Sequence, residues 1–132
     1  MTYPGALKPS VYNSDQNVHG YSAYVTFGAA AITTAYGKGF TLARTGVGVF
    51  SVTLQQPYNR FTKLPRFDWS KAAGTAVLST VTTVISTLGT TGVFEVKTVT
   101  AAGVATEPTD GDIATLTFEV TQDPENNATS VL

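Results

Sequence analysis

The chain of 132 residues has no cysteine and one histidine, His19. Without thiols it has no disulfide, no thiolate metal site and no cysteine nucleophile. With one imidazole, a multi-histidine metal site is excluded, and any Ser–His–Asp arrangement would have to use His19. Charge is scarce: Asp, Glu, Lys and Arg make up 13% of residues, against about 25% in an average domain. Eight basic and nine acidic residues nearly cancel, for a formal net charge of −1. That gives no electrostatic footprint for duplex nucleic acid, which normally needs a basic face. No apolar run approaches the roughly 18 residues of a membrane span. The N-terminal MTYPGALKPS lacks the apolar core of a signal peptide. The expectation is a soluble protein, folded without export, with no membrane partner.

Threonine, serine, glycine and alanine take the place of the missing charge. A neutral, hydroxyl-rich surface packs against another protein more readily than it stays apart from one. The length argues for one domain, and the 42% hydrophobic content is enough for a core. Strand signals recur along it. Tyr21, Ala23, Val25 and Phe27 share one parity, as in a half-buried strand. A short strand is expected at Ile32 to Tyr36, within a loop. In KGFTLARTGVGVFSVTLQQPY, Lys38 to Tyr58, Phe40 and Leu42 alternate before Gly46 and Gly48, and Phe50, Val52 and Leu54 alternate after them. That is a hairpin pattern, ended by Pro57. Phe94 and Val96, then Leu116, Phe118 and Val120, alternate near the end.

Two segments are less plain. Val77, Leu78, Val81, Val84, Ile85 and Leu88 match a helical stripe. Yet 11 of the 17 residues from Thr75 to Thr91 are β-branched, and stiff branched side chains suit strands. The segment is predicted as strand. Residues 59–75, NRFTKLPRFDWSKAAGT, read as a long connection. Here Arg60, Lys63, Arg66 and Lys71 interleave with Phe61, Phe67 and Trp69. Four readings stand for this stretch: a protein interface, a loop whose aromatics fold back on the core, a glycan platform and a single-stranded nucleic acid site. The first is preferred, and no nucleic acid partner is expected.

Six to eight strands with turns between them predict an all-β protein, an antiparallel β-sandwich of jelly-roll-like kind. The predicted layout is an extended N-terminal arm over residues 1–20, the sandwich over 21–124 and a short tail over 125–132. Tyr3, Leu7, Val11 and Tyr12 make the arm too apolar for a solvated tail, so it is read as docking on a partner.

The search for chemistry yields little. His19 is read as lying in the flexible arm, a poor place to hold catalytic geometry. TDGD places Asp110 and Asp112 around Gly111, but the further acids of a calcium loop are missing, so a turn is expected. Gly37 with Gly39 and Gly46 with Gly48 do not complete a phosphate cradle. Glu95 and Glu119 fall on the outward parity of their strands. No catalytic residue, metal or cofactor is predicted, and the chain is not expected to be an enzyme.

With these segments in view, GFTLARTGVGVFSVTL resembles a hairpin frequent in small tailed-phage virion proteins. GVFEVKTVTAAGVATEPTDGDIATLTFEV resembles the closing part of the same proteins. The family resembled is the capsid decoration, or cement, proteins with related head-fibre domains. The likeness covers Lys38–Tyr58 and Gly92–Thr121, and residues 59–91 add nothing to it. It implies a non-catalytic β-sandwich, often a homotrimer, seated on the outer surface of a virion and bridging major capsid subunits. The contact residues expected from arm and connection are Tyr3, Leu7, Val11, Tyr12, Arg60, Phe61, Lys63, Arg66, Phe67 and Trp69. The alternative is a fibre-type module that recognises a host-surface glycan, with Trp69 and nearby Tyr or Phe as the stacking platform.

Overall fold

The computed structural model describes residues 18–72 and 76–122. Eight strands follow in order: β1 (Val18–Gly28), β2 (Ala31–Gly37), β3 (Phe40–Gly46), β4 (Val49–Leu54), β5 (Arg60–Ser70), β6 (Ser79–Thr83), β7 (Val93–Val99) and β8 (Ile113–Thr121). The single helical turn, α1 (Leu88–Thr91), precedes β7. The strands form two four-stranded sheets, ordered β2-β1-β8-β5 and β3-β4-β7-β6, with every pairing antiparallel. This is the predicted β-sandwich. The arm residues Tyr3, Leu7, Val11 and Tyr12 and the tail 125–132 lie outside the described residues. No described helix is long and apolar enough to cross a membrane.

The alternation read from the sequence is what builds the core. Odd positions of β1 and even positions of β4, β7 and β8 point between the sheets, because successive side chains of a strand face opposite ways. Phe27, Phe50, Phe94, Val25, Val52, Val96, Leu116 and Val120 are almost wholly buried there. The sheets meet through aromatic edges. Phe27 lies 5.5 Å from Phe50, and Phe94 lies 5.2 Å from Phe118, both in edge-to-face geometry. Such pairs each add about 0.5–1.5 kcal/mol beyond the area they bury.

Glycine is required at two turns. Gly48 sits at φ 63°, and a Cβ there would come within 2.6 Å of the Thr106 carbonyl oxygen. Gly92 closes α1 at φ 74°, donating to the Leu88 carbonyl, and a Cβ there would meet the Gln56 oxygen at 2.7 Å. Any other residue would add both left-handed strain and a backbone clash.

The structure departs from the sequence reading in three places. β1 begins at Val18, so residues 18–20 of the predicted arm are strand, and His19 is paired opposite Val120 rather than held in a flexible segment. The predicted connection at 59–75 is largely β5, an edge strand of eleven residues. Its register shifts between Phe61 and Lys63 and again between Lys63 and Arg66. Those two irregularities break the period of two and accommodate Pro65, which an edge strand tolerates. The predicted strand over the 77–88 region is strand only at Ser79–Thr83. Val84 then adopts φ 52°, and the chain leaves the sheet before α1. The apolar stripe therefore divides: Leu78 and Leu88 are buried, while Val77, Val81, Val84 and Ile85 are exposed.

Candidate interaction surface

The residues singled out on β5 separate by face. Phe67 is a core residue, 5% exposed, 5.8 Å from Phe27 and 6.0 Å from Phe50. Phe61 packs edge-on against Phe94 at 4.8 Å. Trp69 lies 5.6 Å from Phe27 and 5.2 Å from Phe67, and its indole N–H donates to the Leu78 carbonyl at 2.8 Å. The Lys71 ammonium stands 4.9 Å from the Trp69 ring. All three aromatics thus fold back on the core, and Trp69 is not an open stacking platform. Among the four readings of this stretch, the inward-folding one describes them. The reason is apolar burial: on an edge strand one face must cover the core, and the aromatics carry most of the area. Arg60, Lys63 and Arg66 are left exposed.

The register of the sheet shows what accompanies those cations. On the outer face, Tyr36 stands opposite Tyr24, Tyr24 opposite Thr115, and Thr115 opposite Asp68. A parallel row runs Ser22, Thr117, Arg66. The next runs Gly20, Glu119, Lys63. Tyr36 is 68% exposed and Tyr24 46%. The face is therefore tyrosine and hydroxyl on the β2 side, grading into charge on the β5 side. Arg66 pairs with Asp68 at 2.6 Å, and Thr62 donates to Glu119 at 2.7 Å. Since Gly20 has no side chain, the last two rows leave a groove of about 430 Å³ bounded by Lys63, Leu64, Arg66 and Glu119. Leu64 is 62% exposed at its rim.

Elsewhere the polar groups hold the frame. Asp112 is fully buried and ion-paired with Lys71. It also accepts from the Ala72 N–H at 2.8 Å and the Thr109 N–H at 2.7 Å. Burial would raise its carboxyl pKa, but the Lys71 hydrogen bond, the two backbone donors and the Lys71 charge together hold it below the usual value. TDGD is therefore a turn, as expected, but a turn whose second aspartate is an internal anchor. Glu107 does similar work at the β3–β4 turn. It accepts from Arg44 Nε at 2.7 Å and from the Gly48 N–H at 2.9 Å. Burial pushes it up, and these two bonds with the Arg44 charge bring it below the ordinary range. Near His19, the Tyr21 and Tyr58 hydroxyls share a hydrogen bond of 2.8 Å. Burial, then that bond and the neighbouring phenol, push the Tyr21 pKa up to about 12. Glu95 and Glu119 are half-buried, and each accepts from a neighbouring threonine, Thr83 and Thr62. Among the described residues no group of three or more His, Cys, Asp or Glu side chains is placed to hold a metal ion.

Sequence reasoning missed the tyrosine face. The signal was present: Tyr24 has the opposite parity to Tyr21 and Val25, so it points outward if they point in. The Lys71–Asp112 pair had no local signal, because its members are 41 residues apart. No protein-family model, curated protein or solved structure matches the chain.

Proposed function

We propose that the chain is a structural virion protein that binds the outer surface of a phage capsid and stabilises contacts between major capsid subunits. The observation that carries this reading is the outer face of the β2-β1-β8-β5 sheet, where exposed Tyr24 and Tyr36 adjoin rows of Ser and Thr and the cations collect along one margin. Tyrosine is enriched in interface cores, and charge is depleted there. Side chains fixed on a sheet lose little freedom on docking. The resemblance of Lys38–Tyr58 and Gly92–Thr121 to decoration proteins supplies the kind of partner. Stabilisation then follows from mass action: a ligand that binds only the assembled shell favours it by RT ln(1 + [L]/Kd) at each site. The arm from Tyr3 to Tyr12 supplies a second contact in this reading.

The test is co-sedimentation with purified capsids of the virus that carries the gene. Wild-type protein should pellet with shells and raise their melting temperature. Tyr24→Ala with Tyr36→Ala should weaken binding by at least tenfold, and so should deletion of residues 1–12. Full binding by both variants would remove the surface assignments, and no binding by wild type would remove the reading. The exposed tyrosine pair also favours the fibre-type alternative, since a sugar ring stacks on an open aromatic. In that case saccharide binding, not pelleting, would be lost with Tyr36.

A further inference from the structure

The groove beside β5 holds two opposite charges that face each other without pairing. Lys63 stands opposite Glu119 in the β5–β8 register, the arrangement in which a cross-strand ion pair ordinarily forms. No ion pair joins them. The Glu119 carboxylate accepts from the Thr62 hydroxyl instead. Among the described residues the Lys63 side chain has no hydrogen bond or ion pair. The register shifts on both sides of Lys63, between Phe61 and Lys63 and between Lys63 and Arg66. Such bulges re-aim a side chain, and they are over-represented next to functional sites. Arg66 follows along the same wall, and its bond to Asp68 uses one of five guanidinium N–H groups. The floor comes from β1 and β8: Gly20, which has no side chain, and the hydroxyl residues Ser22 and Thr117. Exposed Leu64 supplies an apolar rim.

We infer that this groove binds a sugar unit that carries a carboxylate, of the hexuronate or sialic acid class. The mixed sign of the groove selects it. A simple anion would be drawn by Lys63 and Arg66 but repelled by Glu119. A neutral sugar would leave Lys63 without a counter-charge. An acidic sugar answers both. Its carboxylate accepts charge-assisted hydrogen bonds from Lys63 and from the remaining N–H groups of Arg66. Its ring hydroxyls donate to Glu119 and exchange bonds with Ser22 and Thr117, since a hydroxyl both donates and accepts. The C–H face of the ring rests against Leu64. The volume of about 430 Å³ lies within the roughly 300–1,000 Å³ of small-ligand sites. The inference rests on the glycan alternative above, names its class of sugar and moves its site from Tyr36 to the β5 margin. The capsid reading stands apart from it.

The experiment is an amide NMR titration of the full chain with glucuronic acid and with N-acetylneuraminic acid, at pH 7 and constant ionic strength. Methyl glucoside and a triglutamate peptide are the controls for ring and charge alone. The amides of Gly20, Ser22, Leu64 and Thr117 should shift with at least one of the two sugar acids. Both controls should bind more weakly by about tenfold or more. Lys63→Ala should weaken the sugar acid by about tenfold, the loss of one charge-assisted bond. Lys63→Met keeps the stem and removes the charge, and it decides the matter if Lys63→Ala does not fold. Glu119→Gln can still accept from Thr62. It should weaken the sugar acid yet strengthen triglutamate, a reversal that a merely structural role would not produce. Shifts with neither sugar acid would overturn the inference, and so would either control binding as tightly as they do. Loss with Tyr36→Ala but not with Lys63→Ala would also overturn it, while leaving the glycan reading on the tyrosine pair. Capsid pelleting by the wild type reads the capsid proposal separately.

Discussion

β5 and β6 run along the same side of the sandwich, one from each sheet, yet they solve the problem of an exposed edge in opposite ways. β5 carries Arg60, Lys63, Arg66 and Asp68, a proline and two breaks in register. Charge, proline and bulges all discourage a further strand from pairing. β6 has none of these. It reads STVTT, regular and uncharged, with apolar neighbours facing solvent. The two are tied by the Trp69 and Phe67 bonds to Leu78 and Thr80. Beyond β5, Lys71 fixes the chain to the buried Asp112. One margin is held by charge and kept from association. The other is held by apolar contact and hydroxyls.

The strongest way to break this contrast is to remove the anchor of the charged margin. Asp112→Ala leaves Lys71, whose side chain is 9% exposed, without its partner. Uncompensated buried charge costs about 3–5 kcal/mol, and the loss should appear in the urea midpoint. Acid should act on the same feature more gradually. The Asp112 and Glu107 carboxyls are held below their ordinary values of 3.8 and 4.5. Their stabilisation is therefore complete above those values and is lost as pH falls through the lower folded ones. Denaturation midpoints should be level from pH 7 to about 5 and fall below pH 4. In Asp112→Ala the fall should be smaller.

Cutting the link between the two margins is the next effect in size. Trp69→Phe keeps a ring against Phe27 and Phe67 but leaves the Leu78 carbonyl without its indole donor. A loss of about 1–2 kcal/mol is expected, with faster amide exchange at Thr80 to Thr82. The exposed substitutions are the smallest for folding and the most informative. Val81→Lys, at a position 43% exposed, should change stability by no more than about 0.5 kcal/mol in the urea midpoint. Arg66→Ala breaks a pair whose side chains are 69% and 55% exposed. It should cost about 0.5 kcal/mol or less, and the loss should vanish in high salt. A larger loss would mean that the β5 margin is structural rather than protective.

How far these features could be read without the fold depends on periodicity. Phe50, Val52 and Leu54, like Leu116, Phe118 and Val120, are buried as their spacing predicts, because a strand of unbroken alternation has only one way to face a core. β5 escaped because two bulges and Pro65 interrupt its period. Its aromatics were visible as residue types, but whether they faced in or out depends on where the bulges fall against β8. The 77–88 stripe misled for a related reason. Its branched residues correctly argued for extended chain, but the positive φ at Val84 cannot be anticipated from a valine.

Composition and alternation by themselves determined the all-β class, the hairpin turn at Gly46 and Gly48 and a chain poor in charge. These are local matters, set by side-chain period, backbone sterics and residue type. Only the tertiary structure decided which side chains share a face. Tyr24 meets Tyr36 through the β1–β2 register, and Lys71 meets Asp112 across 41 residues. Val77, Val81, Val84 and Ile85 stand exposed because the core beneath β6 is already filled by Leu78, Leu88 and the strands of both sheets. Such pairings are fixed by packing between distant segments, for which no short stretch of sequence carries the information.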